Sequence, residues 1–557
     1  MKIQFLRQVS LFGASLLASI AAAAPSGSPP DVVFLGGNIV TSNILQPEVE
    51  ALAVTGDRIT AVGDREDVLA MKGEGTRVIN LDGRALLSGF VGAHTHPIFY
   101  MRCLTEQFDV RADRFGEFDA MIAALKNEAA KGDVVAWGYD SSLIKNAKPL
   151  GFAVLDEVSS TNTVIVVGRS SHEVFGNQVA FERAGITEST KDPIGGSLGR
   201  DAGGKLTGAG YELSGCMTVL QAVQEDTDFH ALARKALEHY ASHGFTTITV
   251  TGLGIPVPDS KTHIEVLREA ANASDAPLRV QGYVISELIE DIPDLQKKHD
   301  NDRFRVLGMK IWADGSVQDH TAALKSDYAD MKSRGKANYS QEALNALVAK
   351  AHEMGLQVAT HGNGDRGVAM VFDAIEAAQT AHPREDARHR IEHFTVTDRD
   401  ALKRAKDMGI TPTFLNQHVY AWGHVFQDRL GQQRASTIDP AGSAERLGMH
   451  FSFHDDAPTG HPRPMLMMQI AVTREMQGGG VLNADERVPI DRAIRALTLD
   501  PAWQSFIEDT RGSLEVGKYA DFVILSSNPR KADAATIKDI KIEETWVDGK
   551  VAFTRNQ

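Results

Sequence analysis

The sequence predicts an α/β fold in which eight parallel strands, joined by helices, close into a TIM-type (β/α)8 barrel. The first observation is that short apolar runs alternate with amphipathic helical stretches, as parallel strands and their connecting helices do. The second is that histidine or acidic side chains end several of these runs, and the active sites of such barrels lie at the C-terminal ends of the strands. The predicted strands are residues 90–96, 246–251, 278–285, 305–314, 357–361, 389–394, 411–416 and 451–456.

The first predicted strand ends in the pair His94 and His96. Side chains two positions apart on a strand point the same way, so both imidazoles should meet at the tip of the strand. Imidazole is the commonest nitrogen ligand of zinc, and a catalytic zinc site needs further ligands and one position left for water. Most His-x-His pairs are ordinary strand or surface histidines, so this pair indicates a metal site only together with later residues.

Further candidate ligands end three later strands. A helix-like segment at 340–354, with apolar residues at i, i+3, i+4 and i+7, precedes the strand that ends in His361. A second helical run precedes the strand that carries His393, and the eighth strand ends in the acidic pair Asp455 and Asp456. We therefore expect nitrogen and oxygen ligands from four strands to meet at one end of the barrel.

Lys310 lies in the middle of the otherwise apolar fourth strand. A buried and unpaired ammonium is costly, so this lysine should lose its proton, pair with an acid or be modified. One interpretation is a lysine paired with a carboxylate of the barrel. The other is that its neutral amine takes up carbon dioxide and forms a carbamate, whose two oxygens bridge two metal ions.

These residues together resemble the ligand set of the binuclear amidohydrolase superfamily. Several motifs look like the branch, amidohydrolase family 3, that contains N-substituted formamide deformylase and its YtcJ-like relatives. The similar motifs occupy residues 310–316, 361–365, 390–393 and 456–458, and those of a long insert occupy 168–177 and 192–212. The similarity runs from about Asp31 to the C-terminus. The resemblance implies that the metal ligands are His94, His96, Lys310, His361, His393 and Asp456.

The resemblance also implies two divalent metal ions, zinc by default, and an N-carboxylated Lys310. Manganese, iron or cobalt would suit the same nitrogen and oxygen ligands. The family's aspartate lies two residues before a proline, which selects Asp456; if the register differs by one residue, Asp455 is the ligand instead. This sequence departs from the family's commoner Ser-Asp pair, because His454 precedes two aspartates.

The chain divides into a barrel and a smaller domain. Short strands separated by glycine turns occur near both ends of the sequence. In the resembled family the two ends fold together into one small β-sandwich beside the barrel, with a structural role. The predicted division is a signal peptide at 1–24, the N-terminal part of the β-sandwich at 25–88, the barrel at 89–505 with an insert at about 99–228, and the C-terminal part of the β-sandwich at 506–557.

The insert after the first strand is too long to be a simple loop. It contains strand-like pieces and glycine-rich turns of its own, so we expect an ordered segment that covers the barrel mouth, excludes water and shapes the substrate pocket. Tyr139, His172 and Glu212 are candidate substrate-binding residues there, and Asp314 at the end of the fourth strand is another. A structural role for each polar residue is an equally good interpretation.

The N-terminus has the pattern of a targeting segment. Lys2 and Arg7 precede an apolar run at 9–20, which four alanines follow. We therefore expect a cleaved signal peptide and an exported protein, periplasmic if the source is a Gram-negative bacterium. No later run is long and apolar enough to span a bilayer. Cys103 and Cys216 could form a disulfide in an oxidising compartment or remain free buried thiols.

Charge and motifs exclude several functional classes. The formal net charge of the 557 residues is -15, without a basic run that would indicate nucleic acid binding. The sequence also has no Gly-rich phosphate loop, dinucleotide fingerprint or nucleophile elbow. The expected partner is a small-molecule substrate, and the resemblance also favours a homodimer.

The predicted function is metal-dependent hydrolysis of a C–N bond in an amide, N-acyl or N-formyl compound. A water that bridges two divalent ions should lose a proton near neutral pH and become the nucleophile. Asp456 would accept a proton from this water and deliver it to the leaving amine. Two alternatives remain open: the same metal site could open an ester or lactone or deaminate a ring, or the protein could be a catalytically weak ligand-binding or regulatory protein.

Overall fold

The computed structural model describes residues 28–193, 195–223, 227–256 and 259–555. The predicted signal peptide, residues 1–24, lies outside them. Within the described ranges, no helix is both long and apolar enough to cross a membrane.

Strands of three sheets account for the β structure of the described residues. They are β1 (Val32–Val40), β2 (Glu48–Thr55), β3 (Arg58–Gly63), β4 (Arg77–Asn80), β5 (Ala85–Ser88), β6 (Phe90–Thr95), β7 (Phe108–Asp109), β8 (Val134–Tyr139), β9 (Val164–Gly168), β10 (Glu173–Gly176), β11 (Ser197–Arg200), β12 (Leu206–Tyr211), β13 (Phe245–Leu253), β14 (Arg279–Ile285), β15 (Phe304–Trp312), β16 (Gln357–Gly362), β17 (Arg390–His393), β18 (Thr411–Phe414), β19 (Ser452–Phe453), β20 (Phe522–Leu525), β21 (Ile542–Val547) and β22 (Lys550–Thr554).

Helices follow most strands of the central sheet and several strands of the insert. They are α1 (Arg65–Ala70), α2 (Pro97–Thr105), α3 (Ala112–Phe115), α4 (Phe118–Ala129), α5 (Phe152–Val158), α6 (Gln178–Arg183), α7 (Glu212–Leu220), α8 (Phe229–Ser242), α9 (Ser260–Asn272), α10 (Ile292–His299), α11 (Gln341–Glu353), α12 (Asp365–Ala381), α13 (Arg399–Asp407), α14 (Gln417–Leu430), α15 (Gln432–Ala435), α16 (Ala441–Arg446), α17 (Pro464–Thr473), α18 (Ile490–Arg495) and α19 (Leu499–Gln504).

The central sheet is the predicted barrel. β6 and then β13 to β19 are hydrogen-bonded neighbours in chain order, and every pairing is parallel. The first and eighth strands meet at their C-terminal ends, where the backbone N–H of Asp456 donates to the carbonyl of His94 (3.2 Å). Near the opposite end, Ala496 and Leu497 bridge them by accepting from Phe453 (3.1 Å) and Val91 (2.9 Å). The TIM-type barrel prediction is confirmed.

Five of the predicted strands end one to three residues earlier in the structure, and for two of them, β17 and β19, the backbone gives the reason. β17 stops at His393 and β19 at Phe453. Beyond or at these ends, His393 (φ 69°), Phe394 (φ 49°) and Asp456 (φ 47°) have left-handed conformations, which an extended strand cannot contain. Such conformations are costly for non-glycine residues and are concentrated at functional sites.

The helices around the barrel form for the reason that the periodicity indicates. In α11 the side chains of Leu344, Val348 and Ala351 share one buried face. The Ser340 side chain caps the helix by accepting from the backbone N–H of Ala343 (3.2 Å). Helix α11 therefore confirms the predicted segment at 340–354 to within a residue at each end.

The two ends of the chain share a second sheet. Its strands lie in the order β22-β21-β20-β5-β1-β2-β3, with β4 beside β1, so β20 from the C-terminal part pairs antiparallel with β5 from the N-terminal part. The rings of Phe34, Phe522 and Trp546 pack together at centroid distances of 5.0 to 5.3 Å. The division of the chain into the four predicted segments stays a prediction.

Residues between β6 and β13 form a third sheet with its own apolar core. Its strand order is β11-β12-β10-β9-β8-β7. Phe118, Leu155 and Val166 are among the side chains buried there. Cys103 and Cys216 are both free and buried, in one cluster beside this sheet. The structure therefore agrees with free buried thiols and not with a disulfide between Cys103 and Cys216.

Candidate metal centre

Three of the predicted ligands converge at the mouth of the barrel. His94 and His96 lie at the C-terminal end of β6, and Asp456 lies just beyond β19. Oδ1 of Asp456 is 3.1 Å from Nε2 of His94 and 3.4 Å from Nε2 of His96. One ligand atom from each residue lies within 4.8 Å of the other two, so the three could hold a single cation.

His361 and His393 extend this cluster. Their ring centroids are 4.4 Å apart, and the ring of His393 is 5.0 Å from that of His94. Nε2–H of His361 donates to the carbonyl of Gly315 (3.1 Å), which leaves Nδ1 as the ring nitrogen for a metal. Four imidazoles from three strands are thus close together, as the sequence predicts.

Lys310 is fully buried on β15, and its ammonium nitrogen has no hydrogen-bond partner among the described residues. Burial lowers the pKa of Lys310 to about 8, although the negative charges of Glu392 and Asp456 act in the opposite direction. Lys310 therefore lies near enough to Asp456, the carboxylate beside His94 and His96, for the two charges to interact. A buried amine with a depressed pKa is the species that can add carbon dioxide, because only the neutral amine has a free electron pair.

A buried carboxylate that the sequence analysis did not assign holds His94 in place. Nδ1–H of His94 donates to Oε2 of Glu392 (2.6 Å), while the Arg390 guanidinium donates to both oxygens of Glu392 (2.8 and 3.0 Å). Burial opposes the charge of Glu392, yet Arg390 and His94 hold the pKa of this carboxyl well below its usual value. Because Nδ1 is protonated, Nε2 of His94 is free to bind a metal. The alternation of Arg390 and Glu392 on one strand was the available signal, since it puts both on one face.

Asp455 and Asp456 have different surroundings. Oδ1 of Asp455 accepts from the Tyr240 hydroxyl (2.9 Å) and from the backbone N–H of Ala457 (2.9 Å). Its carboxyl group is thereby engaged with α8 and its own turn. The structure brings Asp456, and not Asp455, to the two histidines of β6.

His454 is a further histidine of the cluster that the sequence analysis noted but did not assign. Its ring stacks on that of His94 at 4.7 Å and lies 5.0 Å from that of His393. Both of its ring nitrogens are buried without a hydrogen-bond partner in the described part of the chain, as is Nδ1 of His393. Such unpaired buried groups are rare in folded proteins, and a bound metal would satisfy several of them. Imidazole nitrogens with carboxylate oxygens suit zinc, manganese, iron or cobalt, so the residues fit a divalent metal.

His172 and Glu212 reach the cluster from the insert. Nδ1–H of His172 donates to Oε2 of Glu212 (2.7 Å), and the ring of His172 is 5.1 Å from that of His361. Burial disfavours the charged imidazole, but Glu212 outweighs it and raises the pKa of His172 to about 9. His172 lines the cavity beside the metal cluster, where the sequence placed it.

The other two predicted substrate-binding residues, Tyr139 and Asp314, are not among the residues that line this cavity. The hydroxyl of Tyr139 donates to the carbonyl of Lys148 (3.2 Å), and its ring belongs to the apolar core of the insert. Asp314 accepts three backbone N–H groups, from Ala323 (2.9 Å), Asn363 (2.9 Å) and Gly364 (2.8 Å). These bonds fix the turns after β15 and β16, and Oδ1 of Asp314 also lies 3.7 Å from Nε2 of His361, so Asp314 borders the metal cluster whereas Tyr139 has a structural role.

A cavity of about 450 Å³ adjoins the metal cluster. His94, His96, His361, His393 and Asp456 form one part of its wall. Much of the remainder is apolar and comes from α2, from the insert and from the turn after β13. The residues that contribute there include Ile98, Phe99, Val167, Val174, Leu213, Met217, Leu220 and Ile255.

Comparisons with known proteins agree with this geometry. The sequence profile of the amidohydrolase family matches residues 77–553. The chain is 25% identical over 539 residues to N-substituted formamide deformylase of Arthrobacter pascens, covering 94% of this chain and 98% of that protein. It is 27% identical over 536 residues to the putative amidohydrolase YtcJ of Bacillus subtilis (strain 168), covering 94% and 99%. An uncharacterized metal-dependent hydrolase from Pyrococcus furiosus shares the fold, with a TM-score of 0.69 at 23% identity over 90% of this chain and 100% of that chain.

Proposed function

The chain belongs to the amidohydrolase family, and from that premise we propose that it is a metal-dependent hydrolase that cleaves a C–N bond in an amide, N-acyl or N-formyl compound. The observation that carries the proposal is the convergence of His94, His96 and Asp456 with His361 and His393 on the wall of one cavity, with the buried Lys310 near enough to interact with the charge of Asp456. The name of the relative from Arthrobacter pascens, N-substituted formamide deformylase, supports a C–N bond as the target.

Two divalent ions, zinc by default, would be held by six side chains. These are His94, His96, Lys310, His361, His393 and Asp456, with Lys310 present as its carbamate. Ions held there would act as Lewis acids that polarise a carbonyl group and lower the pKa of water toward neutrality. The Lys310 amine supports the carbamate, because its nitrogen is buried without a hydrogen-bond partner among the described residues.

Asp456 is the proposed general base and general acid. As a water oxygen bonds to the carbonyl carbon, the Asp456 carboxylate accepts the proton that the water gives up. As the C–N bond breaks, Asp456 returns this proton to the leaving nitrogen, so that an acid and an amine are formed. Proton transfer by a positioned side chain contributes about two to four orders of magnitude in rate.

His172 is the proposed substrate-binding residue of the insert. Glu212 fixes its Nδ1, so Nε2 is the ring nitrogen available to a polar atom of the substrate. Because the insert also supplies Val167 and Leu213 to the cavity wall, we propose that it covers the barrel mouth and limits the access of water. We further propose that the segment at 1–24 directs export and is removed.

A panel of substrates tests this function. Purified protein reconstituted with zinc and bicarbonate is incubated with formamides, N-acyl amino acids and lactones, and the release of amine or acid is measured. We expect amine release that a chelator abolishes and zinc restores. Hydrolysis of lactones alone, or binding without turnover, would contradict the proposal and favour an esterase or a ligand-binding protein.

A further inference from the structure

Helix α7 presents an apolar face to the cavity. Leu213, Cys216, Met217 and Leu220 all line it, at the i, i+3, i+4 and i+7 spacing that puts four side chains on one side of a helix. The side chains of Leu213, Met217 and Leu220 are only half-buried, because the cavity leaves part of their surface uncovered. An apolar helix face usually packs against other side chains of the protein, whereas this one borders a cavity.

The helix starts beside the metal cluster and extends away from it. Its first residue, Glu212, binds His172, whose ring is 5.1 Å from that of His361. Glu212 also contacts the turn at Gly315, which lies just beyond the barrel strand that carries Lys310. At a rise of 1.5 Å per residue, Leu220 lies about 12 Å further along the helix axis than Glu212.

Neighbouring elements also contribute apolar side chains to the cavity wall. Ile98 and Phe99 of α2, Val167 of β9 and Val174 of β10 line the same cavity. Within the described ranges, Arg102 is the only lysine or arginine on the cavity wall, and it is paired with Glu106 (3.5 Å). A carboxylate or phosphate in this part of the cavity would therefore compete with Glu106 for its partner, whereas an uncharged apolar group would bury surface at no such cost.

The position of α7 is fixed by close backbone packing. Gly215 lies against β11, and a side chain there would come within 2.5 Å of the Ser197 carbonyl oxygen. Gly210 of β12 packs equally closely on the other side of this contact. The apolar wall is thus held in place before a ligand binds, which lowers the conformational cost of binding.

We propose that the substrate carries an uncharged apolar chain or ring that lies along the Leu213–Leu220 face of α7, while the bond to be cleaved lies against the metal cluster. This inference rests on the proposed hydrolase function but is separable from it. The apolar group could belong to the acyl part or to the amine part of the substrate. The chemistry of the wall is the same for both.

Two homologous series of substrates show whether the apolar group belongs to the acyl part or to the amine part of the substrate. One is a set of N-formyl-n-alkylamines and the other a set of N-acyl methylamines, each with propyl to decyl chains. Burial of a methylene is worth about 0.8 kcal/mol, so kcat/KM should rise about fourfold per methylene in one series until the wall ends. Turnover with no dependence on chain length in either series would overturn the inference and leave the hydrolase proposal intact.

Binding of 1-alkanols tests the apolar binding site on α7 independently of the proposed hydrolase activity. These ligands cannot be hydrolysed, and calorimetry on the metal-loaded protein measures their Kd directly. We expect Kd to fall about fourfold per methylene from butanol to octanol. That gradient without amine release from any substrate would support the cavity assignment and contradict the hydrolase, whereas a flat series would contradict the assignment.

Substitutions along α7 locate the chain. Met217→Trp should remove the advantage of medium and long chains, and Leu220→Trp, about 4.5 Å further along the helix, only that of the longest. For each variant the readout is the ratio of kcat/KM for long-chain to short-chain substrates, relative to the same ratio in the wild type. Met217→Gln, of similar volume, should weaken binding of long chains without blocking the cavity, and it serves if the tryptophan variants do not fold. Thr218→Ala, on the same helix outside the cavity wall, is the matched control; equal effects at all three sites would overturn the inference.

Discussion

Substitution of Glu392 by glutamine should weaken metal binding although Glu392 is not itself a ligand. The carboxylate accepts from Nδ1 of His94 at 2.6 Å and from Arg390 at 2.8 and 3.0 Å. Glutamine keeps the shape of the side chain but has only one acceptor oxygen. It can therefore accept a hydrogen bond from His94 or from Arg390, and its NH2 group then points toward the residue that is left without an acceptor. Loss of such a partner of a metal-bound histidine typically costs 10- to 100-fold in affinity, or about 1.4 to 2.7 kcal/mol.

A competition titration against a chromophoric chelator measures this effect. Metal-free wild type and Glu392→Gln are titrated with zinc under identical bicarbonate, and Kd values are compared. Thr413→Val is the matched control, because Thr413 donates a neutral hydrogen bond to the same oxygen (3.1 Å) and its removal should change Kd far less. Wild-type affinity in Glu392→Gln would refute the argument that this carboxylate orients His94 for a metal.

Three further predictions concern single residues. Asp456→Asn should lower kcat by at least about two orders of magnitude while the fold is retained, as kinetics and circular dichroism would register; near-normal kcat would exclude Asp456 as the proton carrier. Tyr139→Phe should leave KM unchanged and lower the free energy of unfolding by about 1 kcal/mol, because the Tyr139 hydroxyl donates to the backbone of the insert. A raised KM would indicate that Tyr139 contacts the substrate. Burial lowers the pKa of His389 to about 3. Below pH 6.5 the unfolded chain therefore binds a proton at this residue that the folded chain does not. The free energy of unfolding should fall by up to about 1.4 kcal/mol per pH unit because of this group. Denaturant unfolding at pH 7, 6 and 5 should therefore show a shallower decline in His389→Gln, and parallel curves would contradict this.

The barrel could be predicted because its signal is local. Each parallel strand is buried on both faces and is therefore a continuous apolar run, and each connecting helix has its own period. The histidine and acidic candidates followed from position, since the C-terminal ends of parallel strands meet at one mouth, whereas Lys310 as a ligand and the choice of Asp456 over Asp455 rested on the family resemblance. His361 and His393 lie where this rule places them, 4.4 Å apart by ring centroid.

The partners of polar residues could not be predicted in the same way, because they come from distant parts of the chain. Glu392 acts on His94, nearly three hundred positions earlier, and Asp314 is satisfied by backbone groups on the turn after the next barrel strand. The sequence shows that Tyr139 lies on a strand-like piece of the insert, but not which face of that strand meets the cavity. Tertiary contacts determine which face of a strand meets the cavity, and the local periodicity of the sequence carries no information about those contacts.

Native mass spectrometry of the protein reconstituted with zinc and bicarbonate tests the central claim most directly. The claim is that His94, His96, Lys310, His361, His393 and Asp456 hold two divalent ions with Lys310 carboxylated. We expect two zinc ions and the added mass of one carbon dioxide per chain, with Lys310→Ala losing the carbon dioxide and part of the metal. A chain that binds no zinc, or that binds it without carbon dioxide and equally well in Lys310→Ala, would contradict it.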